Sequence, residues 1–347
     1  MRYSELSELL GFPELEATMD EVEDALVRCL TEGSDLLAVP AGRVARGGGK
    51  RLRAVLVLAA SRALAPSRTH PEHAVRGAVS IELVHQGSLV HDDLLDGAES
   101  RRGTATVNAL EGYDRAILVG DYILAKAGTM AASVSRLVAE DVAKSIEALC
   151  TGQVLEMADV GNPTRTLEGA IVSVGGKTAD LILAACRVGA HCVVEDGEVV
   201  DRLSAYGHAF GLAYQLVDDV LDLVSTEELL GKPVGNDIRC GVFTVPVLLA
   251  RDAIGDAAFA DDLRASATDD DVAERTMAAV RSSGAVERTL DLARDYAAEA
   301  RRSLEKIEHD YPDLARLARL PEAYIEWVTT TLVPEGALAP GVAAEIS

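Results

Sequence analysis

Aromatic side chains make up only 4% of the 347 residues, with one Trp, four Phe and eight Tyr. Strands draw on alternating aromatic and β-branched runs closed by Asn-Gly or Asp-Gly turns, and such runs are nearly absent, which argues against a β fold. Lysine is scarcer still, with six in the chain, and acids exceed bases so far that the net charge is −23. General electrostatics therefore excludes a nucleic-acid partner or an anionic membrane surface. The five cysteines, Cys29, Cys150, Cys186, Cys192 and Cys240, are far apart and lack CxxC spacing. They make neither a disulfide framework nor a zinc site and suit a reducing compartment. No unbroken apolar run approaches the roughly 18 residues of a membrane span. The acidic N-terminus has no signal-peptide core, so a cytoplasmic location and no integral membrane segment are expected.

What is abundant is alanine and leucine at helical spacing. The pattern predicts helices over about 13–38, 51–65, 71–97, 113–132, 137–158, 166–191, 197–223, 242–254, 269–283, 285–307 and 312–331, an all-α chain. No linker divides two compositions, so one helical domain is expected over 1–333, with a tail at 334–347 that frays.

Two segments repeat one acidic pattern: Asp92-Asp93-Leu94-Leu95-Asp96 and Asp218-Asp219-Val220-Leu221-Asp222. Each is DDxxD and closes a long apolar helix. Residues four apart share a helix face, so Asp92 lies over Asp96 and Asp218 over Asp222, at a cost in like-charge repulsion. One such match in an acidic chain reads as a solvated turn; two in the same context read as oxygen donors for Mg²⁺, which shares its shell with water and substrate phosphates. Asp269-Asp270-Asp271 lacks the third aspartate, heads a helix and reads as surface. Polar stripes strengthen the contrast: His85, Ser88, Asp92 and Asp96 on one helix, and Gly211, Gln215, Asp218 and Asp222 on the other. Polar groups on a buried helix are costly unless they face a cavity or ligand, so two such helices are expected to face one pocket holding several Mg²⁺ ions around a diphosphate.

Bases accompany these acids. Gly47-Gly48-Gly49-Lys50-Arg51-Leu52-Arg53 sets a glycine turn and three cations at a helix start, a phosphate-binding arrangement without the Walker A pattern. Arg101-Arg102 follows the first aspartates.

With these motifs the sequence resembles the trans-polyprenyl diphosphate synthases, the family of farnesyl, geranylgeranyl and longer-chain synthases. The signatures run in order: GGKRLR at 48–53, ELVHQGSLVHDDLLDGAESRRG at 82–103, GDYILA at 120–125, GQ at 152–153, KTADL at 177–181 and GLAYQLVDDVLD followed by LGKPVGND. The resemblance implies an isoprenoid-synthase-type helical bundle around a deep central cavity, commonly a homodimer. It also implies condensation of isopentenyl diphosphate with an allylic diphosphate, with three Mg²⁺ ions per site for which Mn²⁺ can substitute. It assigns Lys50, Arg53, His85 and Arg102 to isopentenyl diphosphate. Asp92, Asp96 and Asp218 are the implied principal metal ligands, supported by Asp93 and Asp222. Arg101, Lys177, Gln215 and Lys232 would contact the allylic diphosphate, and Thr178 would lie beside the developing cation.

The chemistry is consistent with that assignment. Ionising an allylic C–O bond leaves a carbocation and pyrophosphate, and fixed cations stabilise the departing charge without a proton donor. Relatives often carry a second lysine after the second aspartate cluster, where this chain has Val242. The same fold also serves terpene cyclases and inactive partner subunits of heteromeric synthases. The Lys50/Arg53/His85 set argues against the first, and both intact aspartate clusters argue against the second. Short-chain relatives place a bulky floor one turn before the first aspartates; here Gly87 and Ser88 are small, so a product longer than C20 is expected. Close helix packing at these positions, with a floor near Tyr122 or Ile123, is the competing explanation.

Overall fold

A computed structural model describes residues 1–66, 71–230 and 234–334. In chain order the helices are α1 (Tyr3–Leu10), α2 (Leu15–Thr31), α3 (Asp35–Arg46), α4 (Leu52–Leu64), α5 (Pro71–Leu95), α6 (Val107–Glu111), α7 (Tyr113–Ala132), α8 (Arg136–Ala158) and α9 (Leu167–Val174). A π-helical turn (Gly175–Ala179) joins α9 to α10 (Asp180–His191). Then follow α11 (Gly197–Val224), α12 (Glu227–Leu230), α13 (Asn236–Arg239), α14 (Val245–Ile254), α15 (Ala257–Ala265), α16 (Asp270–Ser282), α17 (Ala285–Leu304), α18 (Leu314–Leu317) and α19 (Leu320–Thr331). Among the described residues the one sheet is a hairpin of two-residue strands, β1 (Ser100–Arg101) and β2 (Thr104–Ala105).

The chain forms two compact units. The first comprises Met1–Glu147, Leu181–Gly207 and Arg302–Leu320; the second comprises Ala148–Asp180, His208–Arg301 and Pro321–Ser347. In the first unit α5 is the central element, packed along α7 and against α4, α2 and α3. Its residues Ala78 to Val84 are all buried in sequence, so this stretch is enclosed on every side, as an all-round core helix should be. α4 is similarly enclosed from Ala54 to Ser61. A buried ion pair secures the entry to α4: Arg51 and Glu82 are 3% and 2% exposed and lie 3.4 Å apart. Glu82 also accepts from the Ala54 amide, and Arg51 donates to Glu23 and to the Ala45 carbonyl.

In the second unit α11 carries the core from His208 onward, with Phe210, Leu216, Val217 and Val220 buried. Phe210 and Tyr214 pack on Tyr324 of α19, with Tyr214 stacked at 5.0 Å between ring centroids. These rings tie α11 to α19 within the second unit.

Several expected boundaries differ. The helix over 13–38 is two, because Gly33 at φ 133° breaks it before α3 begins. The short helices α1, α6 and α15 have too few turns to show a period. The stretch 166–191 is interrupted by the π turn, and 312–331 is split into α18 and α19. The absence of any candidate span also needs correction. Leu167–His191 is long and apolar enough to cross a membrane by length and composition, although 56% of its apolar window is buried in the protein. Counting only unbroken apolar runs missed it, because Lys177 and Asp180 interrupt the stretch.

Candidate functional site

The first unit gathers a cluster of bases around one histidine. His85 lies on α5, and burial together with Arg53, Arg102, Arg51 and Arg101 pushes its pKa well below the usual value. It is therefore a neutral imidazole among guanidiniums, a hydrogen-bonding group and not another cation. The Nε of Arg53 is buried with no hydrogen-bond partner. A guanidinium N–H left unsatisfied in the interior costs free energy unless a ligand accepts it. Arg102 reaches back to donate to the Gly48 carbonyl, so the glycine turn and the hairpin are held together. Arg51 does not belong to this exposed set: it turns inward to Glu82 with φ 46°, an uncommon conformation for a side-chain-bearing residue. Lys50 beside it is exposed.

The hairpin explains the placement of Arg101 and Arg102. Arg102 and Gly103 have φ 52° and 74°, the two positive values that a two-residue type I′ turn needs. Glycine supplies the second at no steric cost. The Nε of Arg101 then donates to Asp93 at 2.7 Å. Asp93 is 6% exposed, and burial raises its pKa against the lowering effect of Arg101.

The first aspartates close α5. Asp96 and Ala98 donate their amides to the carbonyls of Asp92 and Asp93, and Gly97 turns the chain at φ 63°. Carboxylates at the C-terminal end of a helix meet the negative pole of its dipole, and Asp92 and Asp96 also repel each other across one turn. A cation removes both penalties. Among the described residues no three Asp, Glu, His or Cys side chains converge closely enough to make a complete metal site. The donor chemistry nevertheless fits Mg²⁺, which takes one or two carboxylates and fills its shell with water and phosphate oxygens.

In the second unit the other aspartates occupy the last turns of α11. Asp218 is exposed, while Asp222 is buried and accepts from the Asp237 amide at 3.2 Å. Asp219, to which the sequence assigned no role, is 2% exposed. Burial raises its pKa to about 7, opposed by a hydrogen bond from Gln215. That bond spans 2.8 Å from Gln215 Nε2 to Asp219 Oδ1, and the other oxygen, Oδ2, has no hydrogen-bond partner. Gln215 Oε1 in turn accepts from Thr178 Oγ1 at 2.9 Å.

Thr178 and Lys177 sit in the π turn, a feature common at functional positions. Lys177 donates to Glu156 of α8 at 2.6 Å. The turn nests against α8 because residue 152 is glycine. A methyl group there would lie 2.7 Å from the Gly176 carbonyl carbon and 2.9 Å from the Ser173 oxygen, and closer still to the Lys177 nitrogen. Neither the π turn nor Glu156 was legible beforehand, since a π turn has no periodic signature; the adjacent pair Gly175-Gly176 was its one local sign.

Val242, at the position of the missing lysine, lies in a loop held by the bond from the Gly161 amide to the Gly241 carbonyl, 2.8 Å. Lys232 lies outside the described residues. Of the two chain-length positions, Ser88 is buried and donates to the His85 carbonyl at 2.8 Å. A methyl group at Gly87 would meet Leu124 of α7 at 2.9 Å, so α5 and α7 are in close contact here.

Residues 34–280 match the sequence profile of the family described as Polyprenyl synthetase. The chain is 37% identical over 289 residues to the heptaprenyl diphosphate synthase component 2 of Geobacillus stearothermophilus, covering 83% of this chain and 87% of that protein. It is 33% identical to the nonaprenyl diphosphate synthase of Mycobacterium tuberculosis, covering 88% and 90%. Among solved structures, a polyprenyl synthase from Caulobacter crescentus, complexed with calcium and isoprenyl diphosphate, matches with a TM-score of 0.80. It shares 31% identity, over 90% of this chain and 96% of that one. The chain belongs to the polyprenyl synthetase family and is an all-α prenyltransferase of isoprenoid chain elongation.

Proposed function

We propose that this enzyme condenses isopentenyl diphosphate with an allylic diphosphate to give a polyprenyl diphosphate longer than C20, with Mg²⁺ bound by the carboxylates of each aspartate cluster. The observation that carries it is the cradle of Arg53, His85 and Arg102 around the Gly48–Gly49 turn, with its buried, unpartnered Arg53 Nε. Such a cradle suits a diphosphate that is bound and not ionised, the role of isopentenyl diphosphate; a cyclase, which takes one diphosphate, has no use for it. Lys50 supplements it from the exposed side. In the second unit Lys177 and Gln215 contact the allylic diphosphate; the family resemblance assigns the same role to Arg101, of the first unit, and to Lys232. Asp92, Asp96 and Asp218 are the principal ligands, with Asp93 and Asp222 supporting them.

The metal supplies charge neutralisation at the departing diphosphate. The chain's own residues bind and orient the two diphosphates, and Thr178 faces the carbon at which positive charge develops. The length of the product is supported by the small residue Ser88 and by the hepta- and nonaprenyl names of the relatives. A cytoplasmic homodimer is part of the same proposal, supported by five free cysteines and by the exposed apolar side chains Leu110, Tyr113, Ile117 and Leu118.

The test is incubation of the purified chain with labelled isopentenyl diphosphate, Mg²⁺ and each allylic primer, followed by chromatographic sizing. Elongated prenyl chains beyond C20 are expected; a cyclic hydrocarbon would refute the function. A second possibility draws on the name of one relative, a synthase component 2: activity that arises only on adding a second subunit. Inactivity of the pure chain, restored by such a subunit, would support it.

A further inference from the structure

Asp219 is the one aspartate of the two DDxxD clusters that neither the family resemblance nor the helical face assigns to metal, yet it is among the most buried polar side chains of the protein. A buried carboxylate with one oxygen lacking a hydrogen-bond partner is destabilising, so packing does not explain it. Its single side-chain hydrogen bond comes from Gln215, and Gln215 bonds onward to Thr178.

The direction of this chain follows from donor and acceptor chemistry. Asp219 Oδ1 accepts from Gln215 Nε2 at 2.8 Å, and an oxygen in that role keeps the amide nitrogen turned toward it. The Gln215 amide nitrogen must therefore face Asp219, which turns its oxygen toward Thr178 and obliges the Thr178 hydroxyl to donate. The one proton of that hydroxyl is then committed, and its oxygen has only lone pairs left to present elsewhere. Without Asp219 the amide could flip, the hydroxyl could accept from Gln215 Nε2, and its proton would be free to point outward.

We infer that Asp219 is a positioning residue that fixes the polarity of the Asp219–Gln215–Thr178 chain, so that Thr178 presents lone pairs and never a proton to the developing allylic cation. This rests on the proposed prenyl-transfer function. The allylic C–O bond breaks with its electron pair leaving on the diphosphate, and the carbon left behind is positive. An oxygen lone pair attracts that carbon; an O–H dipole aimed at it repels it. The chain acts only as charge grows, so it lowers the barrier and leaves substrate affinity nearly unchanged.

The experiment is a double-mutant cycle on the full chain, with kcat and KM measured for both substrates. Asp219→Asn keeps size but permits either polarity, and is expected to lower kcat roughly tenfold with each KM within about threefold. Thr178→Val removes the hydroxyl and is expected to lower kcat by roughly ten- to hundredfold. The double variant should be no slower than Thr178→Val alone, because Asp219 acts only through that hydroxyl. Thr178→Ser, which restores the hydroxyl, should restore sensitivity to Asp219→Asn. Multiplying effects in the double variant would overturn the inference, as would a tenfold rise in the Mg²⁺ concentration needed by Asp219→Asn, which would make Asp219 a metal-site group. Melting temperatures check folding. If Asp219→Asn does not fold, combining it with Gln215→Glu conserves charge and lets the new amide at position 219 donate to the new carboxylate at position 215. Thr178 then still donates, and this pair should keep kcat within about threefold of wild type at saturating substrate, with the allylic KM raised because position 215 also contacts that diphosphate; a kcat as low as that of Thr178→Val would overturn the inference. Failure of wild type to elongate any primer would instead refute the proposed function itself.

Discussion

A single methyl group at Gly152 should separate activity from stability. In Gly152→Ala the added carbon would stand 2.7 Å from the Gly176 carbonyl carbon and 2.9 Å from the Ser173 oxygen, where unstrained carbon contacts lie at about 3.5–4.0 Å. The groups it meets are backbone, so no flexible side chain can swing aside. The π turn must retreat by about 1 Å, against the bond from Ser173 Oγ to the Gly152 carbonyl at 3.1 Å. Overpacking of this kind costs about 1–3 kcal/mol, and alanine returns about 1 kcal/mol of helix propensity. The net loss of about 0–2 kcal/mol should lower Tm by only a few degrees in a chain of this size. Lys177 and Thr178 move with the turn, however, and a 1 Å misplacement of reacting groups can cost about a hundredfold in rate. Steady-state kinetics should therefore show kcat with the allylic substrate down by about two orders of magnitude while the thermal melt barely shifts. Gly128→Ala on α7, where nothing lies within 4 Å of the added methyl, is the control and should leave kcat unchanged while raising Tm slightly through the same gain in helix propensity. Wild-type kcat in Gly152→Ala, or an equal fall in Gly128→Ala, would refute the packing argument.

Other perturbations reach other parts of the molecule. Excess chelator should abolish turnover, and Asp92→Ala or Asp218→Ala should remove orders of magnitude from kcat with the helical CD signal unchanged; full activity in chelator would contradict the metal role. Arg53→Ala should chiefly raise KM for isopentenyl diphosphate, whereas Lys177→Ala should act on the allylic substrate and on kcat; identical effects on both substrates would refute the division. Ser88→Phe should shorten the product without stopping the first condensation, as sized by chromatography, and Gly87→Phe should chiefly destabilise because Leu124 already occupies the space. The folded pKa of His85 is depressed below the unfolded value of 6.5, so below that pH the unfolded chain binds a proton the folded protein refuses. Its contribution to stability is lost as pH falls, by up to about 1.4 kcal/mol per pH unit. His85→Gln should flatten that acid limb in denaturant titrations by the same amount; an unchanged limb would contradict it.

The sequence by itself determined the helical class, both aspartate clusters and the basic segments. Helical period and four-residue spacing are local, and charged groups at those spacings leave few other readings. The middle of each long helix was legible for the same reason, because α5 and α11 bury too many apolar residues to be anything but core. What only the tertiary structure decided depends on groups distant in the chain. Arg51 and Arg53 look alike in GGGKRLR, yet Glu82 draws one inward while the other is left with an unpartnered Nε. Gly87 looks like room for a substrate until Leu124 is seen to fill it. Asp219 is one of three aspartates in its motif, and only the fold shows that it is deeply buried, bound to Gln215 and through it to Thr178, 41 residues earlier in the chain. Periodicity assigns a residue to a face; which partner waits there is set by packing between segments that the local pattern does not relate.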